Sequence, residues 1–211
     1  MRTRDHQGRL WRRTAAAVLC TLTLLTPALA AGFSDVKEGA WYAGAVDEVT
    51  EAGLLSGVSE SKFDPDGAVT RAMTVTALWR LAGEPAAEGK GGFSDVPEGT
   101  WYTAAVAWAA EQGIAAGDGK GRFEPAKAVT REQLAVFLYQ YAQYQGLDTA
   151  QGKLDIYSDG KQVSKWAVDG MEHAVGAGLI SGSAGKLQPK KSASRAELAA
   201  VLERLMTPAV G

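Results

Sequence analysis

The chain has 211 residues, of which 46% are hydrophobic, and a formal net charge of −2. This apolar content excludes a disordered chain, and the lack of a basic excess argues against nucleic-acid binding, because phosphate contacts need a basic surface. Glycine occurs 25 times, which indicates many turns between short elements.

The start of the chain has the three parts of a secretory signal peptide. It is rich in arginine, an apolar stretch follows from Ala15 to Leu25, and Ala28-Leu29-Ala30 is a small-x-small cleavage site. A membrane anchor is the alternative, but the apolar stretch is shorter than the roughly 20 residues that a span requires. We therefore predict that residues 1–30 are a signal peptide and that no later segment spans a membrane.

Removal of this segment takes away five arginines and one aspartate, so the formal net charge falls from −2 to −6. Cys20, the single cysteine, is lost as well, and His173 becomes the single histidine. A thiolate, a zinc site or a nucleophilic triad therefore has no parts, and we expect no cofactor and no metal. Asp64-Pro65-Asp66-Gly67 lacks the alternating ligands of a calcium loop and is predicted to be a turn.

Three repeats make up nearly all of the remaining sequence, and we assign them to 31–90, 91–152 and 153–211. They open with FSDVKEGAWY, FSDVPEGTWY and the looser YSDGKQVSKWA. A glycine follows the tryptophan of each repeat after twelve residues, and a second glycine comes four residues later. Each repeat then has a proline step and a hydroxyl-arginine pair, namely Thr70-Arg71, Thr130-Arg131 and Ser194-Arg195.

Each repeat is predicted to form a helix, a loop and a second helix. The first helix runs from near the tryptophan to the glycine twelve residues later, where we expect left-handed caps at Gly53, Gly113 and Gly178. The second helix begins after the hydroxyl residue, with its clearest apolar stripe at Leu134, Phe137, Leu138 and Tyr141. One repeat buries too little apolar surface to fold alone, so we predict one all-α domain with a shared helical core.

These motifs closely resemble the S-layer homology (SLH) family. Its pattern is an aromatic-x-Asp start, a Trp-led helix, a Gly-Leu/Ile-x-x-Gly loop, a Phe-x-Pro step and Thr-Arg-Ala-Glu at the second helix. The loops here read GLLSG, GIAAG and GLISG, and the resemblance extends from Phe33 to about Met206. It implies a pseudo-threefold, three-pronged spindle that attaches exported proteins to secondary cell-wall polysaccharides, commonly pyruvylated ones, or in some bacteria to modified peptidoglycan.

The resemblance also implies ligand grooves between neighbouring repeats. It assigns the principal contact with an acidic sugar to the arginines of the hydroxyl-arginine pairs, Arg71, Arg131 and Arg195. Secondary candidates are the aspartates Asp35, Asp95 and Asp159, with the loop glycines Gly57, Gly117 and Gly182. The fourth motif position is Glu197 in repeat three but Gln133 and Met73 in the others, so we expect unequal grooves.

The same residues have structural interpretations. Thr130 with Gln133 and Ser194 with Glu197 can form capping boxes, whereas Thr70 can supply only half of one. Capping does not explain the arginine, whose fork beside free N–H groups at a helix N-terminus suits a carboxylate. The aspartates could be turn caps or ligand contacts, and both interpretations stay open. We predict that Trp41, Trp101 and Trp166 are core residues rather than sugar-stacking platforms.

The leading hypothesis is a secreted, non-catalytic module at the cell surface whose partner is an anionic cell-wall polysaccharide or modified peptidoglycan. A small exported carbohydrate-active enzyme and a structural component of a surface layer are the alternatives. We expect no nucleic-acid partner. With few residues after Met206, we also expect no cargo domain on this chain.

Overall fold

The computed structural model describes residues 32–88, 92–147 and 149–207. Within these ranges there are six α-helices, two consecutive ones in each repeat, and extended backbone is limited to isolated bridges. The pairs are α1 (Ala43–Glu51) with α2 (Arg71–Leu81), α3 (Thr103–Glu111) with α4 (Arg131–Tyr144), and α5 (Val168–Gly176) with α6 (Arg195–Met206). The predicted all-α helix–loop–helix organisation is confirmed. The predicted signal peptide lies outside the described residues.

The helix ends follow the local sequence signals. Gly53, Gly113 and Gly178 have φ values of +71°, +68° and +68°, the left-handed conformation that a glycine adopts without strain. Capping boxes are present at Thr130 with Gln133 and at Ser194 with Glu197. Thr70 accepts a hydrogen bond from the Met73 N–H, which is only the forward half of a capping box.

The repeats form a closed ring. The first helix of each repeat packs against the second helix of the repeat before it: α3 on α2, α5 on α4, and α1 on α6. Three backbone hydrogen bonds join the repeats at the centre, from Val129 to Val69 (2.8 Å), from Ala193 to Val129 (2.8 Å) and from Val69 to Ala193 (3.0 Å). This triangle defines the pseudo-threefold axis.

One hydrophobic core contains residues from all three repeats. Phe63, Phe123 and Leu187, the apolar residues of the three proline steps, are fully buried, and the predicted stripe of α4 is buried as well. No helix in the described part of the chain has the length and apolar character needed to cross a bilayer.

The three repeat tryptophans are exposed, so their prediction as core residues was wrong. Trp41, Trp101 and Trp166 are 67%, 58% and 60% exposed. In the first two repeats the helix begins two residues after the tryptophan, and in the third the tryptophan lies in a 3-10 turn before α5. The indole therefore precedes the helical stripe that faces the core.

Candidate functional site: grooves between the repeats

The arginine after each helix cap reaches from its own repeat into the loop of the next. Arg195 Nε donates to the Phe63 carbonyl (2.7 Å), and its Nη2 donates to the Ser56 carbonyl (2.5 Å). The same pair of bonds joins Arg71 to Phe123 and Ala116 (2.8 and 2.6 Å), and Arg131 to Leu187 and Ser181 (2.7 and 2.8 Å). Each guanidinium thus holds a Gly-Leu/Ile-x-x-Gly loop.

The backbone beside these arginines is also occupied. The N–H groups of Arg195 and Ala196 donate to the carbonyls of Gly67 and Pro65 in repeat one, at 2.9 Å each. Equivalent bonds start at Arg71 and at Arg131. The expectation of free N–H groups for a carboxylate at the helix N-terminus was therefore wrong, because the next repeat already uses them.

The third guanidinium nitrogen has different neighbours at Arg131 and at Arg195. Arg131 Nη1 lies 2.8 Å from Glu197 Oε1, which forms an ion pair. Arg195 Nη1 points to the thioether sulfur of Met73 at 4.0 Å, a weak acceptor at the outer limit of a hydrogen bond. Burial lowers the pKa of Arg195, but an arginine this far above neutral pH remains charged.

The candidate aspartates clamp their own loops. Asp159 accepts from the N–H groups of Leu187 (2.7 Å) and Gln188 (2.8 Å), and Asp35 and Asp95 make the matching pairs of bonds. The Phe63 N–H is the main cause of a lowered pKa at Asp35. At Asp95 and Asp159 burial acts to raise the pKa, but the backbone N–H donors outweigh it. Both carboxyl groups therefore have a pKa below the usual value. These contacts favour a structural role for the three carboxylates.

The candidate glycines make room for the aromatic residue that opens each repeat. A Cβ atom at Gly57 or Gly117 would lie 2.5 Å from the ring of Phe33 or Phe93, and one at Gly182 would overlap the ring of Tyr157. The glycine and the aromatic-x-Asp start therefore belong to one packing arrangement, which explains both motifs without a ligand.

Two cavities lie beside the arginines, and each is built from all three repeats. The Arg131 groove, of about 310 Å³, also has Ser181, Glu197 and Arg204 from repeat three and Trp41 from repeat one. The Arg195 groove, of about 300 Å³, is lined by Leu54, Leu55, Ser56, Gly57, Met73, Thr76, Arg80, Trp101 and Arg195. In both, the exposed tryptophan of one repeat lines the same cavity as the arginine of another.

Each groove contains a second arginine that the sequence motifs did not predict as a site residue. Arg80 Nη1 donates to the Leu54 carbonyl (3.3 Å), and Arg204 Nη1 donates to the Leu179 carbonyl (2.9 Å). The third repeat interface has Gln140 at this position. Because only two of the three repeats carry the arginine, repeat comparison did not single it out.

The interface of repeats one and two differs in a further way. Phe137 occupies the position of Ala77 and Val201 in the other repeats, and its ring centroid lies 5.5 Å from Arg71 Cζ. The larger side chain takes up space beside this arginine. The three interfaces therefore differ in the side chains around the arginine, and unequal binding by the grooves stays a prediction.

The fold and the grooves together define a module of three helical repeats in a closed ring, in which an arginine of each repeat donates to the loop of the next. The sequence model of the S-layer homology domain matches three segments, 32–72, 92–135 and 156–199. The chain belongs to the S-layer homology family, as the motifs predicted.

Several relatives share most of the chain. A surface-layer 125 kDa protein of Lysinibacillus sphaericus is 32% identical over 95% of the chain and 17% of its own length. An amylopullulanase of Thermoanaerobacterium thermosulfurigenes is 30% identical over 82% of the chain and 9% of its own length. The S-layer protein EA1 of Bacillus anthracis is 27% identical over 83% of the chain and 20% of its own length. The chain spans a fifth or less of each of these relatives.

Proposed function

We propose that this chain is a non-catalytic anchoring module that binds an anionic, pyruvylated polysaccharide of the bacterial cell wall. The observation that carries the proposal is the composition of the two grooves. Each brings a largely buried guanidinium, a second arginine and an exposed indole to one cavity.

The guanidinium groups supply the recognition of negative charge. Arg131 and Arg195 are only 9% and 5% exposed, and a charge-assisted hydrogen bond is stronger where water is excluded. Two of the three guanidinium nitrogens hold the neighbouring loop, so the group is fixed before a ligand arrives. A pyruvyl ketal carries one carboxylate on a sugar ring, which matches a single fixed cation.

The tryptophans supply a surface for the sugar ring. The indole of Trp41 meets Tyr42 edge to face, with ring centroids 5.3 Å apart, and Trp101 meets Tyr102 in the same way at 5.1 Å. This contact fixes an exposed aromatic face at the groove. The apolar face of a pyranose can stack on such a surface, while the ring hydroxyls stay in water.

The relatives support anchoring as the shared property. The same segment occurs in proteins named as surface-layer proteins and in one named as an amylopullulanase, each of which has most of its length elsewhere. A module that holds different proteins at the cell surface accounts for this distribution. Export through the predicted signal peptide at 1–30 would place the chain there.

The test is sedimentation of residues 31–211 with purified cell walls before and after mild acid removal of the pyruvyl groups. We expect binding to the untreated walls and little binding to the treated ones. Lys153→Ala, which removes an exposed charge outside both grooves, is the matched control and should bind like the unchanged chain. Equal binding to both wall preparations would contradict the proposal, and release of soluble sugar would favour an enzyme.

A further inference from the structure

We infer that the Arg195 groove is the site that takes the carboxylated sugar, because Met73 stands where repeat three has Glu197. The inference deepens the proposed function and rests on it. In the Arg131 groove, Glu197 forms an ion pair with the arginine. In the Arg195 groove the corresponding nitrogen faces a thioether instead.

The carboxylate of Glu197 is held where it competes with a ligand. Its Oε2 accepts a hydrogen bond from the Ser194 N–H at 3.1 Å, and its Oε1 lies 2.8 Å from Arg131 Nη1. A ligand carboxylate would have to displace this oxygen or bind next to a fixed negative charge, and both cost free energy. Lys186 and Lys191 also line this groove, but both are exposed, and water screens exposed charges.

Each groove has two arginines, Arg131 with Arg204 in one and Arg195 with Arg80 in the other. Among the described residues, the lining of the Arg195 groove contains no acidic residue. Arg195 is 95% buried, and among the described residues its Nη1 has only the weak acceptor Met73. Met73 lines this groove beside the cation and gives it an apolar side chain there. A pyruvyl ketal has the matching pair of groups, a carboxylate and a methyl on one carbon.

A second polar group in this groove lacks a partner. Thr76 is 2% exposed, and its hydroxyl has no hydrogen-bond partner among the described residues. Buried hydroxyls are normally satisfied, so an isolated one in a cavity points to a ligand that supplies the missing bond. The other repeats have Val136 and Ala200 at this position, which confines the feature to the Arg195 groove.

The test uses two probes, a methyl hexopyranoside with a 4,6-linked pyruvyl ketal and the methyl ester of the same compound. Titration calorimetry should show that the acid binds the unchanged chain at one site and that the neutral ester binds about tenfold or more weakly, as expected for one charge-assisted bond. Comparable binding of acid and ester would overturn the inference.

The decisive variants exchange the fourth motif position. Met73→Glu should weaken binding of the acid about tenfold while raising thermal stability, because it completes a capping box and pairs with Arg195. Met73→Gln completes the box without the charge and should bind within about twofold of the unchanged chain. Opposite directions in affinity and stability cannot come from unfolding. Equal binding by the two variants would refute the role of charge.

Two more variants test each groove separately. Glu197→Gln keeps the capping box, as Gln133 does in repeat two, and should open a second site for the acid. Thr76→Val removes the hydroxyl at constant shape and should weaken the acid and the ester alike. If intact walls bind the chain but Met73→Glu has no effect, this inference fails and the proposed function stands. If the walls do not bind but the acid probe binds and Met73→Glu weakens it, the assignment of the groove to a carboxylated sugar stands and the proposed wall anchoring fails.

Discussion

The backbone N–H of Val69, in the first repeat, donates to the carbonyl oxygen of Ala193, in the third, at 3.0 Å. This bond closes a ring of three, since Val69 also accepts from Val129 and Ala193 donates to Val129. In a linear stack of repeats the two ends would be far apart. Here the last repeat contacts both of the others, so loss of one repeat opens two interfaces.

A chain of residues 31–142 should therefore fail to fold. It lacks α5 and α6, which cover one side of α4 and of α1, and it lacks the arginine that holds the first loop. The exposed apolar surface should produce a broad thermal transition or aggregation, as expected when a shared core is cut. Circular dichroism melts beside residues 31–211 give the comparison. A sharp, native-like melt of the fragment would contradict the shared core.

The arginines should matter for stability as well as for binding. Arg195→Ala leaves the carbonyls of Phe63 and Ser56 without their donors, and two hydrogen bonds to a charged group should cost about 2–4 kcal/mol after partial replacement by water. Arg195→Lys keeps the charge but loses the planar fork, so its stability should lie between that of the unchanged chain and that of Arg195→Ala. Urea unfolding measures the loss. An unchanged midpoint for Arg195→Ala would show that the first loop keeps its conformation without the arginine.

Local signals made much of the fold predictable. The capping boxes join residues three positions apart, and the glycine caps close their own helices, so spacing alone indicates them. The bond between Arg195 and Phe63 spans 132 residues, and no local pattern reveals which repeat an arginine faces. Thr76 was equally invisible, because its significance depends on a missing partner. The sequence thus singled out the three motif arginines, while their partners, the second arginines and Thr76 came from the structure.

The exposed tryptophans should contribute to binding and little to stability. Trp101→Ala should weaken wall binding about three- to tenfold, since an aromatic contact contributes roughly 0.5–1.5 kcal/mol beyond its buried area. Its thermal midpoint should fall little, because the indole is 58% exposed. Trp166→Ala is the comparison, since its interface lacks a second arginine and its neighbour is Ala167 rather than tyrosine. Equal effects of the two substitutions would argue against stacking in a groove.

His173 should make the fold sensitive to mild acid. Its ring is 3% exposed beside Tyr139, with centroids 5.7 Å apart, and neither nitrogen has a hydrogen-bond partner among the described residues. Burial lowers its pKa, and the backbone of Ala150 lies near enough to oppose the shift but not in hydrogen-bond geometry. The folded state therefore disfavours the imidazolium.

The sign of the effect follows from proton linkage. With the folded pKa below the unfolded value of about 6.5, the unfolded chain binds the proton first, so the free energy of unfolding is full above that pH and falls as the pH drops toward the folded pKa. The clamping aspartates also have lowered pKa values, but their contribution is lost only as the pH falls below about 4. Urea unfolding at pH 7.5 and 5.5 separates the two windows. His173→Phe should remove most of the difference between these pH values, and a variant that keeps the full difference would place the sensitive group elsewhere.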